Sequence, residues 1–347
     1  MAPASIAPAL LAWWDEHGRK DLPWQRDPTP YRVWVSEVML QQTQVATVER
    51  YYDRFIARFP DVRVLADASQ DAVLHAWSGL GYYSRARNLQ RAAQRVRDEH
   101  AGELPRTLEG LSSLPGIGRS TAGAILALAS QSRHPILDGN VKRVLSRVFR
   151  IEGVPTEPAT LRQLWSLADA ATPTERVHHY TQAIMDLGAT LCTRRNPACA
   201  RCPLAARCVA HAAGVAASLP ATTPKRVRPL RATVLMLLRH GEDRVLLEKR
   251  PAAGIWGGLW GLPEVANADE VPGWCVQAFG AAPTHIVVRP VLRHGFTHFD
   301  LDITPVEVEV APPARALETD RWLWYNVQAP AEVGLAAPVA KLLQSLT

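Results

Sequence analysis

The sequence predicts two domains of different class, an all-α domain over residues 1–213 and an α+β domain over 231–347, joined by a linker at 214–230. Three observations predict this. Apolar residues recur at helical spacing in segments such as 34–59 and 72–96, broken by short turn signals. The stretch Leu219-Pro220-Ala221-Thr222-Thr223-Pro224-Lys225-Arg226-Val227-Arg228-Pro229 is too rich in proline and arginine for a helix or a central strand, and reads as a linker. Beyond it, apolar runs at 232–238 and 245–248 flank His240-Gly241-Glu242-Asp243, a hairpin signal, and 298–310 alternates apolar and polar residues.

At 347 residues the chain is long enough for two cores. A content of 47% hydrophobic and 21% charged residues is that of a soluble globular protein, and the net charge of +6 is a mild pointer to a polyanionic partner. No apolar run approaches the ~20 residues of a membrane span. Trp13, Asp15 and Glu16 interrupt the start, so no secretory signal is expected there. The expectation is of a cytoplasmic protein without a membrane partner, and of a monomer because nothing in the sequence suggests an interface.

The first motif lies in 34–44, where Glu37, Gln41 and Gln44 form a polar stripe if the helix continues. Such a stripe is usually a solvated face. Val35, Val38, Met39 and Leu40 surround the glutamate, however, and a carboxyl in an apolar cleft holds its proton towards neutrality.

Leu114-Pro115-Gly116-Ile117-Gly118 separates a short helical stretch from about Thr107 and a second helix starting near Ser120, giving a helix-hairpin-helix over about 107–129. Gly116 and Gly118 are expected to take backbone angles that other residues avoid, exposing N–H groups at a helix N-terminus to phosphate without reading sequence.

Asp138, in Pro135-Ile136-Leu137-Asp138-Gly139-Asn140-Val141-Lys142-Arg143, has the position of a helix N-cap, which is compatible with facing a cleft. Hydrolysis of a glycosidic bond needs one carboxyl to manage protons and another to face the developing oxocarbenium ion. Spacing alone leaves the pairing of Glu37 with Asp138 open.

Cys192, Cys199, Cys202 and Cys208 crowd one loop over 192–208, while Cys275 stands alone. This is a metal site and not a disulfide framework. A structural zinc fits four thiolates, but one loop with a single tight pair suits a 4Fe–4S cluster better. Arg194 and Arg195 add positive charge to the same loop.

Together, the hairpin, the 136–143 segment and the cysteine pattern resemble the endonuclease III superfamily of DNA glycosylases. Val35-Ser36-Glu37-Val38-Met39-Leu40-Gln41-Gln42-Thr43-Gln44-Val45 and Gly79-Leu80-Gly81-Tyr82-Tyr83-Ser84-Arg85-Ala86-Arg87-Asn88-Leu89 resemble its adenine-specific, MutY-type branch. The resemblance covers essentially the whole chain. It implies a helical glycosylase domain with an iron–sulfur loop and a Nudix-like domain, acting on double-stranded DNA that carries adenine opposite 8-oxoguanine or guanine.

By the same resemblance, Glu37 protonates the base, Asp138 stabilises or bonds the sugar C1′, and Asn140 organises the site. Gln42 and Tyr82 wedge into the stack a flipped base leaves; plain packing is the other reading of Tyr82. Trp24 lines the base pocket or belongs to the core. Relatives that also cut the backbone carry a lysine where this chain has Ser120, so little strand cleavage is expected, with Lys142 as the remaining amine. The segment 250–264 resembles the start of a Nudix domain, but 265–272 lacks the glutamate-rich helix a pyrophosphatase needs. Phe296, Thr297 and His298 resemble the family's Phe-Ser-His loop for 8-oxoguanine, with threonine for serine; otherwise this is a hairpin loop. The rival readings are a bifunctional glycosylase/lyase for oxidised pyrimidines, disfavoured by Ser120, and a non-catalytic damage-binding module, disfavoured by the two carboxylates.

Overall fold

The computed structural model describes residues 6–223, 227–310 and 320–346, so part of the linker, 224–226, and a segment of the later domain, 311–319, lie outside the described residues. Contacts divide the chain into two compact units: Met1–Asp67 with Asn88–Pro224, and Ala68–Arg87 with Lys225–Thr347.

The first unit is helical. Helix α1 is Ile6–His17, α2 Pro30–Leu40, α3 Val45–Arg58 and α4 Val62–Asp67. Helices α5 (Gln70–Ala76) and the first turn of α6 (Ser84–Glu99) belong to the second unit, and the chain returns to the first along α6. Then come α7 (Leu108–Ser112), α8 (Arg119–Ser130), α9 (Gly139–Val148), α10 (Pro158–Ala171), α11 (Val177–Thr190) and α12 (Val209–Ala212). Local chemistry sets the starts: the Thr29 hydroxyl accepts from the Arg32 N–H at α2, with Pro30 just inside, and Thr107 caps α7. Helix α9 buries Val141, Val144, Leu145 and Val148 at the i, i+3, i+4, i+7 spacing of one face, against Leu164, Ile184 and Leu187 in the same core. Helix α2 buries Tyr31, Val33, Trp34, Val35, Ser36, Val38 and Met39, most of its circumference.

The stretch expected as one helix at 34–44 breaks. Helix α2 ends at Leu40, Gln41 leaves helical geometry and Gln42 takes φ +57°, so Glu37, Gln41 and Gln44 form no continuous stripe. Gly116 has the expected positive φ of +80°. Gly118 does not: at φ −89°, ψ 169° it is the extended N-cap of α8, and a Cβ there would meet open space. Its contribution is clear access to the first N–H groups of a helix that has no side-chain cap.

In the second unit, β1 (Leu230–His240) and β2 (Arg244–Lys249) pair as the antiparallel hairpin signalled around 240–243. Strands β3 (Trp260–Gly261), β4 (Glu264–Val265), β5 (His285–Val288), β6 (Leu292–Gly295), β7 (Asp300–Glu309) and β8 (Trp322–Asn326) complete a mixed sheet ordered β3-β2-β1-β7-β5. Strand β8 pairs with β2, β6 with β7 and β4 with β1, and β1 and β7 run parallel in register from Leu230–Asp300 to Arg239–Glu309. Strand β1 is buried continuously from Thr233 to Leu238, as a central strand covered on both faces should be. Helices α13 (Val271–Phe279) and α14 (Ala337–Gln344) accompany the sheet, and Cys275 sits in its core with Val271, Val306 and Val308.

Residues 68–87 join this unit through specific contacts. The Asp71 carboxylate takes the Lys249 ammonium at 3.0 Å and the Trp260 indole N–H at 3.2 Å. Tyr83 donates to the Leu335 carbonyl at 3.1 Å, and Arg87 donates to the Gly257 carbonyl. Gly334 lets Leu74 approach so closely that a Cβ there would stand 2.6 Å from the Leu74 Cβ. Replacing Asp71 by alanine leaves the Trp260 N–H unpaired, at a cost of about 1–3 kcal/mol. Hydrogen exchange of the α5 amides should accelerate in that variant, while amides of α9 and α11 keep wild-type protection.

Candidate active site and cluster loop

Glu37 on α2 and Asp138 at the start of α9 line one pocket of about 310 Å³ with Trp24, Ser120, Asn140 and Gln182. Asp138 caps α9: its carboxylate accepts the Val141 N–H at 2.7 Å and lies 3.5 Å from the Asn140 amide nitrogen. Ser120, the first residue of α8 after Arg119, accepts the Leu137 N–H on its hydroxyl at 2.9 Å and so fixes the residue before the aspartate. Two glycines let neighbouring helices close on this segment. A Cβ at Gly123 would stand 2.6 Å from the Pro135 carbonyl oxygen, and one at Gly188 would stand 2.6 Å from the Asn140 Cβ.

The two carboxyls differ in electrostatics. Burial, with Asp138 as a neighbouring negative charge, lifts Glu37 from 4.5 to about 8. Burial also raises Asp138, but the Val141 and Asn140 N–H groups and the charges of Arg143 and Lys142 oppose it. Nothing comparable opposes the burial of Glu37. A proton shared between the two therefore rests on Glu37, and Asp138 carries the charge.

Trp24 is buried, with 5% exposure, and its ring meets Tyr52 edge-on at 5.6 Å. It packs in the core and also lines the pocket that Glu37 and Asp138 share. Arg19 and Gln182, which the sequence reading missed, also line the pocket. Both hold the buried Asp186: Arg19 donates through Nη2 at 2.6 Å and Nε at 2.9 Å, and Gln182 at 2.8 Å.

Gln42 and Tyr82 share a feature. Each is a non-glycine residue with positive φ, at +57° and +48°, and each side chain is exposed. Such strain persists only where surroundings enforce it. For Tyr82 the enforcing group is Arg85, which donates to the Leu80 and Gly81 carbonyls and lies 5.6 Å from the Tyr82 ring centre. Lys142 stands half-buried in the first turn of α9. Phe296, Thr297 and His298 form the tip between β6 and β7, with Phe296 stacked on Phe299 at 4.5 Å and Thr297 and His298 exposed. The Thr297 hydroxyl lies 3.4 Å from that of Tyr82. Helix α13 carries no acidic side chain, so it offers none of the glutamates of a metal-dependent pyrophosphatase.

The four loop cysteines line a single small cavity, unpaired by disulfides. The buried Arg147 donates to the Cys192 sulfur at 3.3 Å and to the Thr193 carbonyl at 2.8 Å, and backbone N–H groups point at Cys202 and Cys208. These donors suit thiolates that share a metal cluster. Arg143 ties the loop to the pocket: it donates to the Cys192 carbonyl, the Asn140 side-chain oxygen and the Gly188 carbonyl, each at 2.7 Å.

Comparison with known proteins agrees. Residues 35–170 match the HhH-GPD superfamily of base excision DNA repair proteins, 192–208 the iron-sulfur binding domain of endonuclease III, and 234–345 the NUDIX domain. A thermostable thymine-DNA glycosylase structure is 25% identical with a TM-score of 0.56, spanning 61% of this chain and 97% of that one. An endonuclease III–DNA complex at 21% identity and a TM-score of 0.53, spanning 62% of this chain and 98% of that one, shares the fold. The chain is thus a helix-hairpin-helix DNA N-glycosylase with an iron–sulfur loop and a Nudix-like domain. An adenine DNA glycosylase of Buchnera aphidicola is 36% identical over 97% of this chain and 96% of its own length. Those of mouse and human are each 36% identical, over 94% and 84% of this chain and 75% and 65% of their own lengths. The chain belongs to the adenine DNA glycosylase family. The cofactor that the cysteine loop fits is a 4Fe–4S cluster, which when bound would stiffen the loop that Arg143 and Arg147 grip.

Two outcomes follow from this geometry. A carboxyl whose pKa is raised on folding withdraws stability as pH climbs from its unfolded value of 4.5 to about 8. Glu37→Gln should match wild type at the acid end of that window and exceed it at the alkaline end, read as the denaturant midpoint. Arg143→Met severs the bonds to Cys192 and Asn140, and should lower single-turnover excision by roughly 10- to 100-fold. The visible absorbance of the cluster reports on the loop in the same sample.

Proposed function

We propose that this adenine DNA glycosylase hydrolyses the N-glycosidic bond of adenine opposite 8-oxoguanine, and more slowly opposite guanine, as a monofunctional monomer that leaves an abasic site. The observation that carries the reading is the division of protons in one pocket: a carboxyl held protonated near neutrality beside one supported as an anion.

The flipped adenine enters the pocket, and Glu37 donates its proton to N7. Protonation turns the base into a neutral leaving group, and the C1′–N9 electron pair departs with it. Asp138 faces the resulting oxocarbenium ion as a carboxylate, close enough to collapse onto C1′ or to stabilise it until water adds. Glu37, now ionised, takes the proton of that water. Asn140 and Arg143 hold Asp138 on station. Gln42 and Tyr82 fill the space the base leaves, offsetting an unstacking cost of a few kcal/mol. Gly116, Gly118 and Ser120 present the start of α8 to backbone phosphate. Since the excised base is undamaged, selectivity is assigned to Phe296, Thr297 and His298 acting on the opposite base.

Ser120 supports hydrolysis over lyase chemistry, because its hydroxyl is engaged with the Leu137 N–H and supplies no amine. The decisive assay uses labelled duplexes holding A opposite 8-oxoguanine or T, with and without hot alkali. Cleavage of the adenine strand only after alkali and only in the mispair is expected, with at least a ~10³-fold loss in Glu37→Gln. Strand breakage without alkali, or cutting of an oxidised pyrimidine in preference to adenine, overturns the reading. With Glu37 as the acid, kcat/KM for the mispair should fall as pH rises through about 8. Thr297→Ala should narrow the preference for A opposite 8-oxoguanine over A opposite guanine by roughly 10-fold, the worth of one hydrogen bond to the opposite base.

A further inference from the structure

The segment 250–264, which resembles the start of a Nudix domain, has no part in the functional reading above. Within it stands Trp256, half-buried and at φ +54°. A bulky residue in that region is strained, and it stays there only where neighbours enforce it. The enforcement is visible on both sides of the residue. The Arg250 N–H donates to the Leu259 carbonyl at 2.8 Å, and the Leu259 N–H donates to the Trp256 carbonyl at 2.9 Å. The Gly258 N–H reaches the Pro251 carbonyl at 3.1 Å, and Arg87 donates to the Gly257 carbonyl. Gly257 has no room for a side chain, since a Cβ there would stand 2.4 Å from the Ala252 carbonyl oxygen. Glycine at 256 would take this backbone without strain, so what the position gains from tryptophan is the ring.

That ring packs against the tip between β6 and β7. Trp256 meets Phe296 at 5.5 Å and His294 at 5.9 Å, tilted in both cases. Phe296 also takes the His294 ring edge-on at 4.7 Å and the Phe299 ring stacked at 4.5 Å. Of these four rings, three belong to the hairpin that carries the tip, and Trp256 comes from a separate segment. The Phe296 N–H donates to the Phe299 carbonyl at 2.8 Å, and Arg228 donates to the Phe296 carbonyl at 3.2 Å. Those bonds fix the backbone of the turn, while the indole fixes the Phe296 side chain. A cavity of about 690 Å³ within the second unit joins the same groups, for Tyr82, Trp256, Phe296 and Thr297 all line it. Tyr82 and Trp256 are the two aromatic residues with positive φ among the described residues, and they share this cavity. Thr297, whose hydroxyl lies 3.4 Å from that of Tyr82, follows Phe296 directly in the chain.

We propose that Trp256 is a positioning residue for selection of the opposite base: its indole holds Phe296 in place and, through Phe296, the neighbouring Thr297 hydroxyl. This rests on the reading that assigns 296–298 to the base opposite adenine. 8-Oxoguanine and guanine differ at few atoms, so a single hydroxyl tells them apart only when its own position is fixed. A tip left without its outside support still offers the hydroxyl, but to either base. Loss of the indole therefore blunts selection without removing any group that touches the adenine.

The test compares single-turnover excision of adenine opposite 8-oxoguanine with that opposite guanine, in the full-length, cluster-loaded protein. Trp256→Ala should lower the ratio of the two rates by roughly 5-fold, through slower excision opposite 8-oxoguanine. Trp256→Phe keeps a ring against Phe296 and should stay within about twofold of the wild-type ratio. Trp256→Ala combined with Thr297→Ala should show the ratio of Thr297→Ala alone, since the indole acts through that hydroxyl. A purely structural role would slow both excisions alike and add to Thr297→Ala. Either result overturns the proposal, as does an unchanged ratio in Trp256→Ala. Trp256→Gly relieves the left-handed backbone and carries the same comparison if the alanine variant does not fold. If Thr297→Ala itself leaves the ratio unchanged, the reading of the tip fails first and the proposal with it, a result distinct from a response at Thr297 without one at Trp256.

Discussion

The placement of the Asp138 carboxylate is the constraint on which the pocket of the helical unit depends. It is a helix cap, and the cap decides both where α9 begins and where the negative charge of the pocket sits. The Ser120 hydroxyl fixes the residue before it, Gly123 and Gly188 let two helices close on its segment, and Asn140 and Arg143 support it from the side. A structural role and the catalytic one proposed for Asp138 fall on one side chain. Burial raises Glu37 first and the Asp138 charge adds to it, so any movement of the cap also changes the glutamate.

That tuning works against stability. Burying Glu37 among apolar neighbours on a helix hidden around most of its circumference is unfavourable for an ionisable group, and it is tolerated because the proton can stay on. The same is true of backbone geometry at Gln42 and Tyr82, both held in left-handed conformations at exposed turns. Left-handed non-glycine residues also occur at Ala101, Gln131, Arg150, Arg176, Asn196 and Trp256, so this geometry is not confined to the residues proposed to meet the DNA.

The sequence made much of this legible. Helical periodicity and the hairpin signal pointed to the two kinds of fold, because hydrophobic spacing reports directly on which face is buried, but they put 68–87 with the helical part, whereas those residues group with the sheet. The cap at Asp138 and the cysteine loop were readable because their chemistry is local. What sequence reasoning missed is set by distance. Arg19 meets Asp186 across 167 positions, and Arg143 reaches Cys192 across 49. No local pattern announces such pairs. The helix break after Leu40 escaped notice because Gln41, Gln42, Thr43 and Gln44 include no glycine or proline to signal it. Gly118 was misjudged because a glycine can serve openness as well as an unusual φ.

The composition of the second unit bears on how the chain can be divided. Its sheet and two flanking helices are contiguous in sequence, but α5 and the Tyr82 turn are borrowed from the middle of the helical half. A fragment stopped at the linker would keep both carboxylates and all four loop cysteines, yet it would leave Leu74, Asp71 and Tyr83 facing water in place of Gly334, Lys249 and the Leu335 carbonyl. The two halves are therefore not interchangeable cassettes. A graft of one relative's Nudix-like part onto another's glycosylase part has to bring residues 68–87 along, since the surface that receives the sheet is encoded 140 or more positions before it.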